Sequence, residues 1–258
     1  MCASTALGEE STVLLTRGDS TLCVNVQPLC DPDGALKMGA WVRDSAAGIG
    51  TLTFCDPKTG AFGGLGHAVS DETTGSRVPL SSGEITAAEI YDIVKGRQGA
   101  AGELCGVILP DSVEGSLAAN TAVGVFGTLS QPYSGTALPM AFRQEVKCGP
   151  ATILATLDGG SPREYSIEIE RVNLLGMNGS KGMVIRITDP ELLEAAGGIV
   201  RGMSGSPIIQ NGRLAGAVTH VLINDPERGY AVFAQSMVEE MQRVCDTCGV
   251  CDTCDTCG

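Results

Sequence analysis

Apolar and β-branched residues come in short runs along this chain, separated by clusters of Gly, Asp, Asn and Pro. That pattern predicts strands joined by tight turns. Residues 12–15 and 22–26 are two such runs on either side of Arg17-Gly18-Asp19-Ser20, which reads as a hairpin. Cys30-Asp31-Pro32-Asp33-Gly34 is a further turn. Residues 38–42 and 50–54 read as strands, followed by the turn Asp56-Pro57-Lys58-Thr59-Gly60. Residues 123–129, 151–157, 165–173 and 183–187 add four more, and 165–170 alternate apolar and polar as a half-buried strand does. Three segments carry helix-start signals. Thr86 with Glu89 forms a capping box ahead of Ile90, Ile93 and Val94. Asp189-Pro190-Glu191 opens a short helix that Gly197 closes. Ser236 with Glu239 caps a C-terminal helix with Met237, Met241 and Val244 on one side. The expected fold is all-β with few short helices, of the barrel kind.

Composition narrows the range of functions. The chain has 258 residues, 43% hydrophobic and 18% charged, which is globular composition with enough length for a real core. Its 35 glycines suit many tight turns. The formal charge is -13 and no cluster of Lys and Arg stands out, so nucleic acid and anionic membrane surfaces are poor partners. No apolar run reaches the roughly 18 residues that a membrane span needs. Met1-Cys2-Ala3-Ser4 lacks the charged and apolar regions of a signal peptide.

Eleven cysteines are present, and five of them (Cys245, Cys248, Cys251, Cys254 and Cys257) fall in the last 14 residues. The odd total excludes complete internal disulfide pairing. Repeated C-x-x-C is a spacing that zinc and iron–sulfur sites use. The tail also reads as a flexible, oxidation-prone appendage, and no metal ligand is assigned to it.

The chemistry concentrates at Gly202-Met203-Ser204-Gly205-Ser206-Pro207. A serine hydroxyl is a weak nucleophile until a base takes its proton, and the acyl transition state needs donors for a developing oxyanion. A serine between small residues in a tight turn lets backbone N–H groups converge, and those of Gly202 and Ser204 are the natural oxyanion donors. The same run also reads as an ordinary glycine–serine turn. Its flanks do not fit the nucleophile elbow of α/β-hydrolases. There are two histidines, His67 and His220, so a Ser–His mechanism has two possible bases. His67 follows the glycine-rich Gly63-Gly64-Leu65-Gly66, and His220 ends the apolar run that starts at Ala215.

Three longer stretches carry a resemblance. They are Trp41-Val42-Arg43-Asp44-Ser45-Ala46-Ala47-Gly48-Ile49-Gly50-Thr51-Leu52-Thr53-Phe54, Gly64-Leu65-Gly66-His67-Ala68-Val69-Ser70-Asp71, and the segment from Gly197 through Ser204 to Gly212. With Gly216-Ala217-Val218-Thr219-His220-Val221 and Asn224-Asp225-Pro226, they resemble the stage IV sporulation protein B peptidases over roughly residues 10–235. The resemblance implies a chymotrypsin-like double β-barrel, with the first barrel at about 10–115 and the second at about 116–244, ahead of a Cys-rich tail at 245–258. It implies a serine endopeptidase that needs no cofactor, with Ser204 as nucleophile, His67 as general base and Asp189, 15 residues before the serine, as third member. Asp189 also reads as a helix N-cap, and Asp71, Asp92 and Asp111 are rival acids.

The family's role is to act between two membranes of a sporulating cell, cutting a membrane-associated regulatory protein and itself. Its members normally carry a membrane-spanning segment and a peptide-binding PDZ domain ahead of the peptidase domain, and this chain resembles the peptidase domain alone. Chymotrypsin-like relatives that cut after Glu or Gln place a histidine on the strand after the nucleophile. Thr219 and His220 are therefore the expected substrate-binding residues. Trypsin-like enzymes hold an acidic residue just before the nucleophile, for an activating ion pair. Met203 stands at that place and cannot form one.

Overall fold

A computed structural model of the chain describes residues 9–17, 20–40, 45–71, 73–131, 137–174 and 179–248. Two compact units are present, Met1–Ala47 and Gly48–Gly258. In the first, β1 (Ser11–Arg17) and β2 (Ser20–Val26) form the expected antiparallel hairpin, in register from Ser11 opposite Val26 to Arg17 opposite Ser20. Its turn residues 18 and 19 lie outside the described residues. β3 (Leu29–Cys30) pairs with β4 (Leu36–Lys37) across the Asp31 turn, where the Asp31 carboxylate accepts from the N–H groups of Asp33 and Ala35. Met38, Gly39 and Ala40 form no strand, contrary to the expectation for 38–42, whose last two positions lie outside the described residues.

The second unit begins with an antiparallel sheet. β5 (Leu52–Cys55), β6 (Ala61–Gly64), β7 (Glu84–Val94), β8 (Glu103–Thr121) and β9 (Gly124–Leu129) lie in the order β5-β6-β9-β8-β7. Next come β10 (Gly149–Ala155), β11 (Arg163–Val172), β12 (Met183–Ile187), α1 (Pro190–Ala196), β13 (Pro207–Gln210), β14 (Arg213–Leu222), β15 (Asp225–Phe233) and α2 (Ala234–Cys248). The six strands β10-β11-β12-β15-β14-β13 close into a barrel. The fold is thus mostly β, with one closed barrel and one open five-stranded half-barrel.

Alternation builds the closed barrel. Tyr165, Ile167 and Ile169 of β11 and Met183, Ile185 and Ile187 of β12 are buried, while the residues between them face outward. Ile90 and Leu104 of the half-barrel join this core. A smaller core gathers Phe126, Ala217, Val232 and Met237, with Met241 and Val244 packed against it, so α2 covers both sheets with the apolar side read from its sequence. At Asn211-Gly212 both φ angles are positive, 52° and 71°, and the chain passes from β13 to β14 in a two-residue hairpin.

Two helix expectations need correction. The capping box at Thr86 and Glu89 lies in β7, which pairs with β8 from Glu84 opposite Ser116 to Val94 opposite Glu103. Ile85, Thr86, Ile90, Ile93 and Val94 are β-branched, and a long neighbouring strand supplies backbone partners that outweigh a local cap. The last helix begins at Ala234, so Ser236 lies inside it rather than capping it. The short helix stands as expected: Asp189 is its N-cap, and Gly197, at φ 72°, donates its N–H to Leu193 O.

Candidate active site

The loop between α1 and β13 carries Ser204, and the half-barrel clamps it. Thr51 N–H donates to Ser204 O at 2.9 Å, and Thr51 Oγ1 donates to Gly202 O at 3.2 Å. Thr53 Oγ1, buried, donates to Gly205 O at 2.7 Å, and Gly205 N–H donates to Val218 O of β14 at 2.8 Å. Gly205 sits at φ 93°, and a Cβ there would stand 2.1 Å from Thr51 O. Only glycine fits between the loop and β5. Met203 is fully buried in the barrel core, and its N–H donates to Val200 O. Among the described residues the N–H groups of Gly202 and Ser204, on either side of it, meet no acceptor. The Ser204 hydroxyl donates to Thr219 O at 2.9 Å.

His67 follows β6 through two residues with positive φ, Leu65 at 64° and Gly66 at 70°. A Cβ on Gly66 would lie 2.9 Å from Thr219 Cγ2 and 3.0 Å from Val232 Cγ1, so this turn rests directly on β14 and β15. Nδ1 of His67 is 2.8 Å from Ala68 O. A carbonyl only accepts, so Nδ1 carries the proton and Nε2 presents a lone pair. Asn120 of β8 holds the segment beyond: its Oδ1 accepts from Val69 N–H, and its Nδ2 donates to the carbonyls of Val69 and Val78. Nothing in the sequence singled out Asn120, because an isolated asparagine on a strand has no local signature.

The chain's two histidines meet here. Their ring centroids are 4.7 Å apart with the planes inclined by 38°. The ladder between β14 and β15 shifts register between Val218 and His220, and this bulge turns His220 toward His67. His220 retains exposed surface, yet its imidazole pKa falls from the ordinary 6.5 to about 4. Burial against its neighbours is the largest cause, followed by the charges of His67 and Lys181. Thr219, expected to bind substrate, is buried and its Oγ1 donates to Ser180 O at 2.9 Å. Its carbonyl is the part that faces Ser204.

Among the described residues no hydrogen bond joins His67 to Asp189. Its Oδ1 accepts from the N–H groups of Glu191 and Leu192, and its Oδ2 accepts from Ser166 N–H at 3.1 Å. Both oxygens therefore tie α1 to β11. Of the rival acids, Asp71 closes its own turn through Thr73 and Thr74, Asp92 accepts from Ile93 N–H, and Asp111 is exposed. No group of three or more potential metal ligands occurs among the described residues. Of the tail, residues 249–258 lie outside them. No helix among the described residues is long and apolar enough to cross a membrane.

A closed barrel and a half-barrel with a serine loop clamped between them define the chymotrypsin-like class of fold. Among solved structures, the active form of the Rv3671c protease from M. tuberculosis is similar at 15% identity and TM-score 0.36, over 80% of this chain and 94% of that one. Its inactive form matches at 17% identity and TM-score 0.32, over 52% and 69%. The HtrA-type protease AlgW with decapeptide matches at 17% identity and TM-score 0.37, over 70% and 60%. A search of curated proteins gave no match. The chain belongs to the SpoIVB peptidase S55 family, whose family model matches residues 34–238, and it is a serine peptidase, a hydrolase.

Proposed function

We propose that this protein is an endopeptidase in which Ser204 is the nucleophile, His67 the general base, and the N–H groups of Gly202 and Ser204 the oxyanion donors. The observation that carries this reading is that two consecutive residues of β14 hold both groups. The Thr219 carbonyl accepts from the Ser204 hydroxyl, and the His220 ring packs on that of His67. For reaction, the Ser204 hydroxyl turns from Thr219 O to Nε2 of His67, which takes its proton as Oγ attacks the scissile carbonyl. The oxygen of the tetrahedral intermediate lies against the two unpartnered N–H groups. Nε2 then returns the proton to the leaving amine, and a water molecule repeats the sequence on the acyl-enzyme.

In this reading Ala68 O orients the imidazole, while Asp189 anchors α1. His220 is the residue that meets the substrate side chain before the cut. The substrate, by family membership, is a membrane-associated regulatory protein and this protein itself, between the two membranes of a sporulating cell.

A second reading is favoured by the Ser204 hydroxyl resting on Thr219 O and by the absence, among the described residues, of a carboxylate bonded to His67: a silent member that binds a peptide without cutting it. Labelling by a serine-directed phosphonate separates the two. Wild type takes the label at Ser204, Ser204→Ala does not, and cleavage falls on the order of 10⁶-fold in the variant. Equal cleavage by both proteins would falsify the proposal.

A further inference from the structure

A cleft of about 530 Å³ opens beside the nucleophile loop. Gly202, Met203 and Ser206 line it, with Ile85, Leu129 and Leu154 among its apolar groups. Neither His67, Thr219 nor His220 lines it. It therefore flanks the loop on the Gly202 side, away from the strand on which the Ser204 hydroxyl and the His67 ring rest.

Its chemistry is selective. Thr51 and Thr53 also line it, but their hydroxyls are held by the carbonyls of Gly202 and Gly205. The remaining buried polar group is Ser206 Oγ, which has no hydrogen-bond partner although Ser206 is fully buried. Its oxygen has almost no accessible surface, so it offers nothing polar to an occupant, and the cleft is left with an apolar character. The cleft is within the size range of ligand pockets and mostly apolar.

We propose that this cleft is a subsite for a bulky apolar side chain of the peptide substrate, on the flank of Ser204 away from His220. The inference rests on the peptidase reading above. A scissile carbonyl whose oxygen faces the N–H groups of Gly202 and Ser204 brings the adjoining substrate residue past Gly202, where the cleft begins. Ile, Leu, Met, Phe and Tyr have the bulk and apolar surface to fill it, while an acidic side chain would meet apolar walls and Glu114, which also lines the cleft.

Two substitutions in the cleft lining test it. Ala87 lies at a register shift of β7, between the paired residues Thr86 and Ala88, and Thr156 follows β10; both line the cleft and are half-buried. Wild type, Ala87→Phe and Thr156→Phe are compared on a mixed peptide library, with the labelling rate by a small serine-directed phosphonate as a measure of an intact nucleophile. Wild type is expected to select bulky apolar residues at one position next to the cut. Either variant that keeps the wild-type melting temperature should lose about tenfold or more in kcat/KM for those peptides and move toward Gly or Ala there. Its labelling should stay within about twofold, because a small probe does not reach the subsite. Normal labelling with an unchanged cleavage profile in both folded variants overturns the subsite and leaves the peptidase reading standing. No labelling and no cleavage by wild type overturns that reading, and the subsite with it.

Discussion

The imidazoles of His67, in the bend after β6, and His220, on β14, stand 4.7 Å apart, and they are the chain's only histidines. Burial of the His220 ring, with the charge of His67 as second cause, has a pH consequence. His220 is held to a pKa of about 4, below the 6.5 of the unfolded chain. Between those values the unfolded chain binds a proton that the folded one refuses. The stability linked to neutral His220 is complete above about pH 6.5 and is lost as the pH falls toward 4. Urea midpoints at pH 7 and pH 4.5 should therefore fall more in wild type than in His220→Asn. Equal falls would show that His220 does not carry this pH dependence.

Asp189→Asn separates a capping role from a catalytic one. Asparagine retains the acceptor for Glu191 and Leu192 N–H but places an amide against Ser166 N–H if the other oxygen is replaced. The expected result is a stability loss of about 1 kcal/mol with cleavage within a few-fold of wild type. A drop of about 10⁴-fold in kcat with folding intact would instead assign the residue to the imidazole.

The clamp on the Ser204 loop is tested at Thr53 and Gly205. Thr53→Val leaves Gly205 O without its buried donor and should destabilise by about 1–3 kcal/mol. Gly205→Ala forces a Cβ to within 2.1 Å of Thr51 O at φ 93°, and should abolish phosphonate labelling together with the cooperative melting transition. A folded, fully labelled Gly205→Ala protein would mean that the loop and β5 separate at little cost.

Ser206→Ala removes the orphan hydroxyl from the cleft wall. In the absence of substrate it should leave stability unchanged or raise it by about 1 kcal/mol. A clear loss of stability in thermal melts would reveal a structural partner for Oγ.

Much of the fold was legible locally. Period-two alternation marked β11, a short apolar run marked β12, and the Asp-Pro start and Gly197 end marked α1, because those signals act within a few residues. Methionines and a valine on one side of α2 foretold a buried face, whereas the start of α2 was misread because β15 runs straight into it. β7 was misread for a related reason: its capping box is local, but the partner strand β8 that outweighs it is recognised only once the sheet forms.

The site divides in the same way. Ser204 and its unpartnered N–H neighbours were readable from a glycine–serine turn, and His67 from a resemblance and a scarcity of histidines. The sequence by itself determined the proposed reactive groups and the local turns that carry them, because glycine spacing and backbone sterics act over a few residues. Only the tertiary structure decided their surroundings. Thr51 reaches a carbonyl 151 positions away and Thr53 one 152 away, His220 turns onto His67 through a bulge, Asn120 grips the segment beyond His67, and α1 takes up the Asp189 carboxylate. These are contacts between distant parts of the chain, set by which strands pair and how the closed barrel packs on the half-barrel, and no spacing along the chain encodes them.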